Sequence, residues 1–447
     1  MELICKKNDN GLTVNLENKR FQLSFPEEIW QNYPNDIKDV LIDNLIHLLT
    51  INLPLIAGFK KLKYNLSTPL FRPYFHRVVI NSLPTVADDY KIRTGDAIKE
   101  FLSIDYEFKD SNVKIPSYNY RTDNRAIVSL SCGKDSLLSL AVSKEIGLNP
   151  VAVYINDTVS PSENRIKMNF GTELCKKFGI DFYIIRNELE KLNDFELWGK
   201  DETTIGYTHM VTGFCLMALP FSHHFKASYI VIGNQKNMEF NFYNKDGFLT
   251  YPSFDQTKAW MKEQDRLVKT MTSGKTSIMS VIEPLTNIAI IRVLHKRYGE
   301  FGKYEVSCDC LDASTEKRWC QNCSKCARLS LFMKANNVSV KNIGFKRNLL
   351  EKRYKKLYCL FRGKETDVYE KSEEARDEQL LAFYMAYRND VKGYLIDLFK
   401  KTFLEEAKKR EDELIKMFFS IYESDSMPEK IKQSVDRIYN EELKNIF

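Results

Sequence analysis

No run in this 447-residue sequence reads as a membrane span. The most apolar segment, Leu41 to Phe59, is broken by Asp43, Asn44, His47, Thr50 and Asn52. The opening residues MELICKKNDN lack the basic-then-apolar grammar of a signal peptide, so a cytoplasmic protein with no membrane partner is expected. Internal repeats are missing, and so are low-complexity tracts other than a charged C-terminal tail. With 43% hydrophobic and 28% charged residues the composition is globular, which excludes wholesale disorder and a collagen-like rod. At about 150 residues per domain, the length suggests two or three domains.

Surplus charge is scarce as well. Lys+Arg 66 against Asp+Glu 60 leaves +6, and seven basic residues between Lys341 and Lys356, facing only Glu351, carry all of it. A protein that coats nucleic acid is usually basic more widely.

Ten cysteines are too few for a disulfide scaffold at this length. Cys5, Cys132, Cys175, Cys215 and Cys359 are scattered, whereas Cys308, Cys310, Cys320, Cys323 and Cys326 fall within nineteen residues. Cys320-x2-Cys323-x2-Cys326, with Cys308 or Cys310 upstream, predicts a four-thiolate Zn²⁺ site, because short CxxC turns let consecutive thiolates converge on a tetrahedral ion. A shell made wholly of protein ligands is structural. An iron–sulfur cluster accepts the same spacing, and reduced thiols in a surface loop are the plain alternative.

Residues 1–120 read as an N-terminal α+β domain. Strands are expected in ELICKK, LTVNLE and RFQLSF, and a helix from Asp36 to Phe59. From Arg125 short apolar runs alternate with helical stretches: Ala126 to Ser131, Val151 to Ile155, Asp181 to Ile185 and Tyr229 to Gly233. This alternation predicts an α/β core with a parallel sheet over residues 121–300, binding ligands beyond the carboxyl ends of its strands. The cysteine cluster forms a zinc knot over 301–335. Residues 336–447 read as a helical, charged region, a cap or a surface for a protein partner.

Ser131-Cys132-Gly133-Lys134-Asp135-Ser136 stands where the first strand of the parallel set gives way to its helix. Backbone N–H groups at a helix start are unpaired and carry the positive end of the dipole, so a loop there cradles phosphate. Gly133 lets the backbone approach, Ser131 and Ser136 offer hydroxyls, and Lys134 adds a full charge. Asp135 cannot favour a bare anion and suggests metal coordination or loop orientation. Ser273-Gly274-Lys275-Thr276 looks like the end of a Walker A loop, but Lys269 stands where its first glycine belongs, and a surface loop is expected.

The hexapeptide resembles the SGGxDS signature of the PP-loop ATP pyrophosphatases, with Cys132 where a second glycine is usual. A small side chain is tolerated there if the backbone angle is ordinary. The resemblance implies an adenine nucleotide alpha hydrolase-like core that splits ATP, with Mg²⁺, into AMP and pyrophosphate while adenylating its substrate. Gly233 and Asn234, ending the fourth strand of the core, join Ser131, Gly133, Lys134, Asp135 and Ser136 in the implied nucleotide site. Glu283-Pro284-Leu285-Thr286, a following helix and Val306-Ser307-Cys308 resemble the 7-cyano-7-deazaguanine synthases, in which the first zinc ligand follows a serine. That likeness favours Cys308 over Cys310. A wider likeness, over roughly residues 120–390, is to the ATP-dependent UDP-MurNAc-L-Ala-L-Glu epimerases. It rests on the GKDS loop, the knot Trp319 to Cys326 and the segment Glu373 to Arg376. Gln235 stands where an acidic residue is expected.

The implied chemistry is activation of a small-molecule carboxylate, whose acyl-adenylate then yields an amide, a nitrile or, by loss of the α-proton, an epimer. Epimerisation needs a base, and His209 is the candidate, with Lys134 and Asp135 serving the adenylation. His223 and His224 fit the carboxyl end of their helix instead. Glu239, Asp246 and Asp255 follow the fourth strand of the core and are candidate substrate ligands or solvated loop carboxylates. Phe240, Phe242 and Tyr243 suit either stacking on a flat ring or packing. The other partner considered is tRNA, with the Lys341–Lys356 run as a phosphate-contacting helix.

Overall fold

The computed structural model describes residues 1–117, 120–157, 160–201, 204–308 and 318–446. Among these residues twelve strands follow one another: β1 (Glu2–Asn8), β2 (Gly11–Leu16), β3 (Lys19–Ser24), β4 (Lys61–Ser67), β5 (Asp105–Asp110), β6 (Asp123–Ser129), β7 (Pro150–Asn156), β8 (Asp181–Asn187), β9 (Ala227–Val231), β10 (Phe242–Tyr243), β11 (Leu249–Thr250) and β12 (Ser277–Met279). Ten form one mixed, mostly parallel sheet in the order β12-β9-β6-β7-β8-β3-β2-β1-β4-β5, and β10 pairs β11 apart from it.

The parallel half, β12-β9-β6-β7-β8, has β6 at its centre. The chain leaves β6 to build β7 and β8 on one side, then crosses back to place β9 and β12 on the other. The gap beyond the carboxyl ends of β6 and β9 is therefore the topological switch point, where open α/β sheets bind ligands. Val128 pairs with Val231 there, and Ser129 with Val153 of β7.

The residues expected to form a separate N-terminal domain extend this same sheet through the antiparallel β3–β8 pair, Leu23 opposite Asn187. Side-chain alternation explains the join. Ile127, Val151 and Val153 face one side, into a core shared with residues 3–106, while Ala126, Val128 and Ala152 face the other, into a core shared with the C-terminal helices. The segment Asn35–Ala57 is long and apolar enough for a membrane span, and 89% of its most apolar window is buried inside the fold. Its polar interruptions are used: Asn44 Nδ2 donates to the Val40 carbonyl, and Thr50 Oγ1 to that of Ile46.

The C-terminal region is helical from Glu373 onward, in helices Glu373–Arg388, Tyr394–Thr402, Leu404–Lys409, Glu411–Phe419 and Glu429–Leu443. Between Val338 and Lys371 only short 3-10 turns form, so the Lys341–Lys356 run is not the phosphate-contacting helix of the tRNA reading. Ile343, Phe345, Leu349, Leu350 and Leu357 are buried and leave no helical stripe.

Candidate functional site

After β6 the chain turns at Cys132 into helix Lys134–Glu145. Cys132 has φ +57°, the left-handed region that disfavours any residue with a Cβ, so its backbone angle is not ordinary. The signature's missing glycine falls at the one loop position whose conformation calls for it, since Gly133 has φ −78°. Cys132 is fully buried, its Sγ lies 3.5 Å from the Lys167 carbonyl, and burial pushes the thiol up to about 12.

Among the described residues no side chain caps helix Lys134–Glu145, which leaves its first amides for a ligand. Ser136 is spent on the loop itself: its Oγ accepts from Ser131 N at 3.1 Å and donates to the Gly133 carbonyl at 3.1 Å. In this arrangement it braces the turn. Ser131 remains exposed. Lys134 Nζ sits 2.6 Å from Asp135 Oδ1.

Gly233, two residues beyond β9, lies against this helix start. A Cβ at Gly233 would stand 3.2 Å from Asp135 Cβ, so glycine permits the close approach of β9 to the loop. Asn234 follows, 2% exposed, with both amide atoms lacking a hydrogen-bond partner in the described structure.

Two cavities meet at the loop. One, of about 350 Å³, lies over the strand ends, walled by Leu130, Tyr154, Ile155, Phe214, Ile232 and Asn234. The other, of about 230 Å³, opens between the loop and helix Ser324–Ala335 and is lined by Lys134, Ser307, Lys325, Arg328 and Phe332. Ser131, Asp135, Lys167 and Gln256 line both. Lys167 and Gln256 escaped the sequence reading, as did Asp157 in the larger cavity. The signal available for Asp157 and Lys167 was their place after the carboxyl end of β7, the rule already applied to β6 and β9.

The sulfur atoms of Cys308, Cys320, Cys323 and Cys326 lie within 4.8 Å of one another, a group able to hold a metal such as zinc. A tetrahedral Zn²⁺ with bonds of about 2.3 Å sets its thiolates roughly 3.8 Å apart, and Cys320 Sγ and Cys326 Sγ are 3.8 Å apart. A cubane cluster binds each thiolate to a different iron and needs a wider set. Backbone amides aim at the sulfurs as a thiolate centre requires: Cys320 N at Cys308, Asn322 N at Cys320, and Cys326 N at Cys323, at 3.4–3.5 Å. Cys323 caps helix Ser324–Ala335, whose next turns wall the smaller cavity. Cys310 lies outside the described residues.

Other candidates are placed elsewhere. His209 is 1% exposed, with Nδ1 3.3 Å from Asn52 Nδ2, and lines neither cavity. Burial lowers its pKa to about 4, so it is a neutral core histidine. Asp255 accepts from the Val211 and Thr212 amides at the start of helix Met210–Met217, and burial raises its carboxyl to about 6. Glu239 accepts from Lys258 N at 2.6 Å and Asp246 from Thr94 N at 2.7 Å, so these three carboxylates hold loops. Phe240 packs edge-on against Phe418, while Tyr243 is exposed. His223 stacks edge-on with Tyr33, and His224 Nδ1 lies 3.3 Å from Asn32. Ser273 to Lys275 form an exposed turn before β12, at the sheet end opposite the loop.

A scan against protein-family models and a search of curated proteins both return no match.

Proposed function

We propose that the chain is an ATP-dependent adenylating enzyme of the PP-loop type, activating a small-molecule carboxylate with release of AMP and pyrophosphate. The observation that carries the reading is the uncapped, glycine-flanked helix start at the switch point, shared by two cavities of different character. The larger, over apolar strand ends, suits an adenosine. The smaller, with Lys134, Lys167, Lys325 and Arg328 against Asp135 and Glu305, suits an anionic acceptor.

A carboxylate oxygen of the acceptor attacks the α-phosphorus. The bond to the α–β bridging oxygen breaks, and pyrophosphate leaves with the electron pair. The amides of the helix start and the Lys134 ammonium stabilise the charge that develops on the leaving group. Ser136 holds the turn and Gly233 lets Asp135 sit against β9. Asp135 and Asp157 offer the hard oxygen donors that Mg²⁺ takes, and the ion when bound offsets phosphate charge. Zn²⁺ held by Cys308, Cys320, Cys323 and Cys326 would have a structural role, fixing the wall that carries Lys325 and Arg328.

Epimerisation of the muropeptide kind needs a base beside the activated carbon, and no histidine is among the residues lining the two cavities. The pairing of Ser307 with ligand Cys308 favours a second outcome, in which a 7-deazapurine acid or its conjugate becomes an amide or nitrile. Hydroxylamine trapping tests carboxylate activation. With ATP, Mg²⁺ and a small-molecule extract, hydroxamate should form in step with AMP. AMP without hydroxamate would contradict the carboxylate assignment.

A further inference from the structure

The segment after the knot concentrates charge to a degree that nothing in the adenylation chemistry uses. From Lys334 to Lys364, ten basic residues stand against one acid, Glu351, a surplus of nine that leaves the rest of the chain net acidic. Nine of the ten are exposed. Two of them find acids, Arg353 on Glu351 at 3.0 Å and Lys356 on Glu365 at 2.7 Å. Lys341, Lys346, Arg347, Lys355, Arg362 and Lys364 make no ion pair with the described residues.

The surface is packed against residues of the four-cysteine knot. Gln321, inside the knot, accepts from both Lys346 N and Arg347 N through one Oε1, at 2.7 and 2.8 Å. The Trp319 indole donates to the Ile343 carbonyl, and its ring stacks on Phe345 with centroids 4.9 Å apart. The backbone that presents the charges is thus fixed before any partner arrives.

Its chemistry selects the partner class. Protein interfaces are built around an apolar core, and membrane-bound helices insert apolar side chains. Here the segment's Ile343, Phe345, Leu349, Leu350 and Leu357 are all buried, so the surface offers charge without an apolar anchor. Between the cations stand exposed Asn342 and Asn348 and the 44% exposed Tyr394, whose ring lies 5.8 Å from Lys352 Nζ. Repeated cations with polar and stacking groups between them match a sugar–phosphate backbone.

We propose that this knot-anchored surface binds a nucleic acid along its phosphate backbone. The binding is electrostatic and does not depend on ATP cleavage at the loop.

The test is fluorescence anisotropy on the full chain with its metal, using labelled single-stranded RNA and DNA oligonucleotides and duplexes. Anionic phosphatidylserine vesicles form a separate arm. Neutralising about five phosphates predicts a loss of affinity on the order of 100-fold between about 50 and about 200 mM salt. The combined variant Lys341→Glu, Lys346→Glu, Arg347→Glu, Lys355→Glu should abolish binding while keeping its metal and its unfolding midpoint. The salt slope of the wild-type chain stands as evidence even if that variant fails to fold. The RNA and DNA arms identify the source. Affinity indifferent to salt, a folded variant that binds as well as wild type, or binding to vesicles alone would overturn the proposal.

Discussion

The backbone N–H of Val306 donates to the carbonyl of Cys132 at 2.7 Å. One residue leads into the thiolate centre at Cys308, and the other turns the chain into helix Lys134–Glu145. Ser307 Oγ stands 3.5 Å from where a Cβ on Gly133 would be. The four-cysteine group and the loop are therefore neighbours, and disturbance of one is expected to reach the other.

Metal content follows from this. The chain should hold one equivalent of zinc, lost in Cys326→Ser and retained in Cys175→Ala. Loss should destabilise the fold by about 3 kcal/mol or more and abolish ATP turnover although every loop residue is intact. Metal analysis beside urea unfolding checks it.

Cys132 gives a sharper test of the turn. Left-handed backbone costs a residue with a Cβ about 1–2 kcal/mol. Cys132→Gly removes that strain but forfeits a buried side chain and adds unfolded-state entropy of roughly 0.5–1 kcal/mol. Stability should stay within about 1 kcal/mol of wild type and activity should persist. Cys132→Val, β-branched at positive φ, should lose more than about 2 kcal/mol.

Gly233→Ala should act on turnover, not on stability. The new Cβ meets Asp135 Cβ at 3.2 Å and displaces the carboxylate at the helix start. ATP turnover should fall about 10-fold, with the urea midpoint nearly unchanged. Steady-state kinetics beside equilibrium unfolding separates the two effects.

His209 predicts a pH effect of known sign. Its folded pKa, lowered by burial to about 4, lies below the ordinary 6.5. As pH falls from 6.5 towards 4 the unfolded chain takes up a proton that the native chain refuses, so stability present above this window is lost within it. The full term is about 3 kcal/mol. His209→Gln should flatten this acid slope and leave ATP turnover intact. His47 and His76, also held neutral by burial, leave a remaining slope.

Much of this was legible in the sequence because it is local. Apolar runs such as Val151 to Ile155 mark buried strands, and CxxCxxC spacing marks converging thiols. The strand–loop–helix junction at Ser131 to Ser136 needs no distant information. The joining of β3 to β8 was not legible, because an antiparallel pairing across more than 150 residues leaves no periodic trace. Nor was the fate of the loop carboxylates. Asp255 looks like a ligand on the binding side of the sheet until its amide partners at Val211 and Thr212 are seen. The Lys341–Lys356 run reads as part of a helical region, and it forms short 3-10 turns instead, with Ile343, Phe345, Leu349, Leu350 and Leu357 buried.

The most direct test of adenylation follows the label of α-labelled ATP, with Mg²⁺ and a small-molecule extract, in wild type and Lys134→Ala. The account predicts extract-dependent label in AMP with equimolar pyrophosphate, reduced at least about 100-fold in the variant. Label recovered in ADP, or AMP formation indifferent to Lys134, would contradict it.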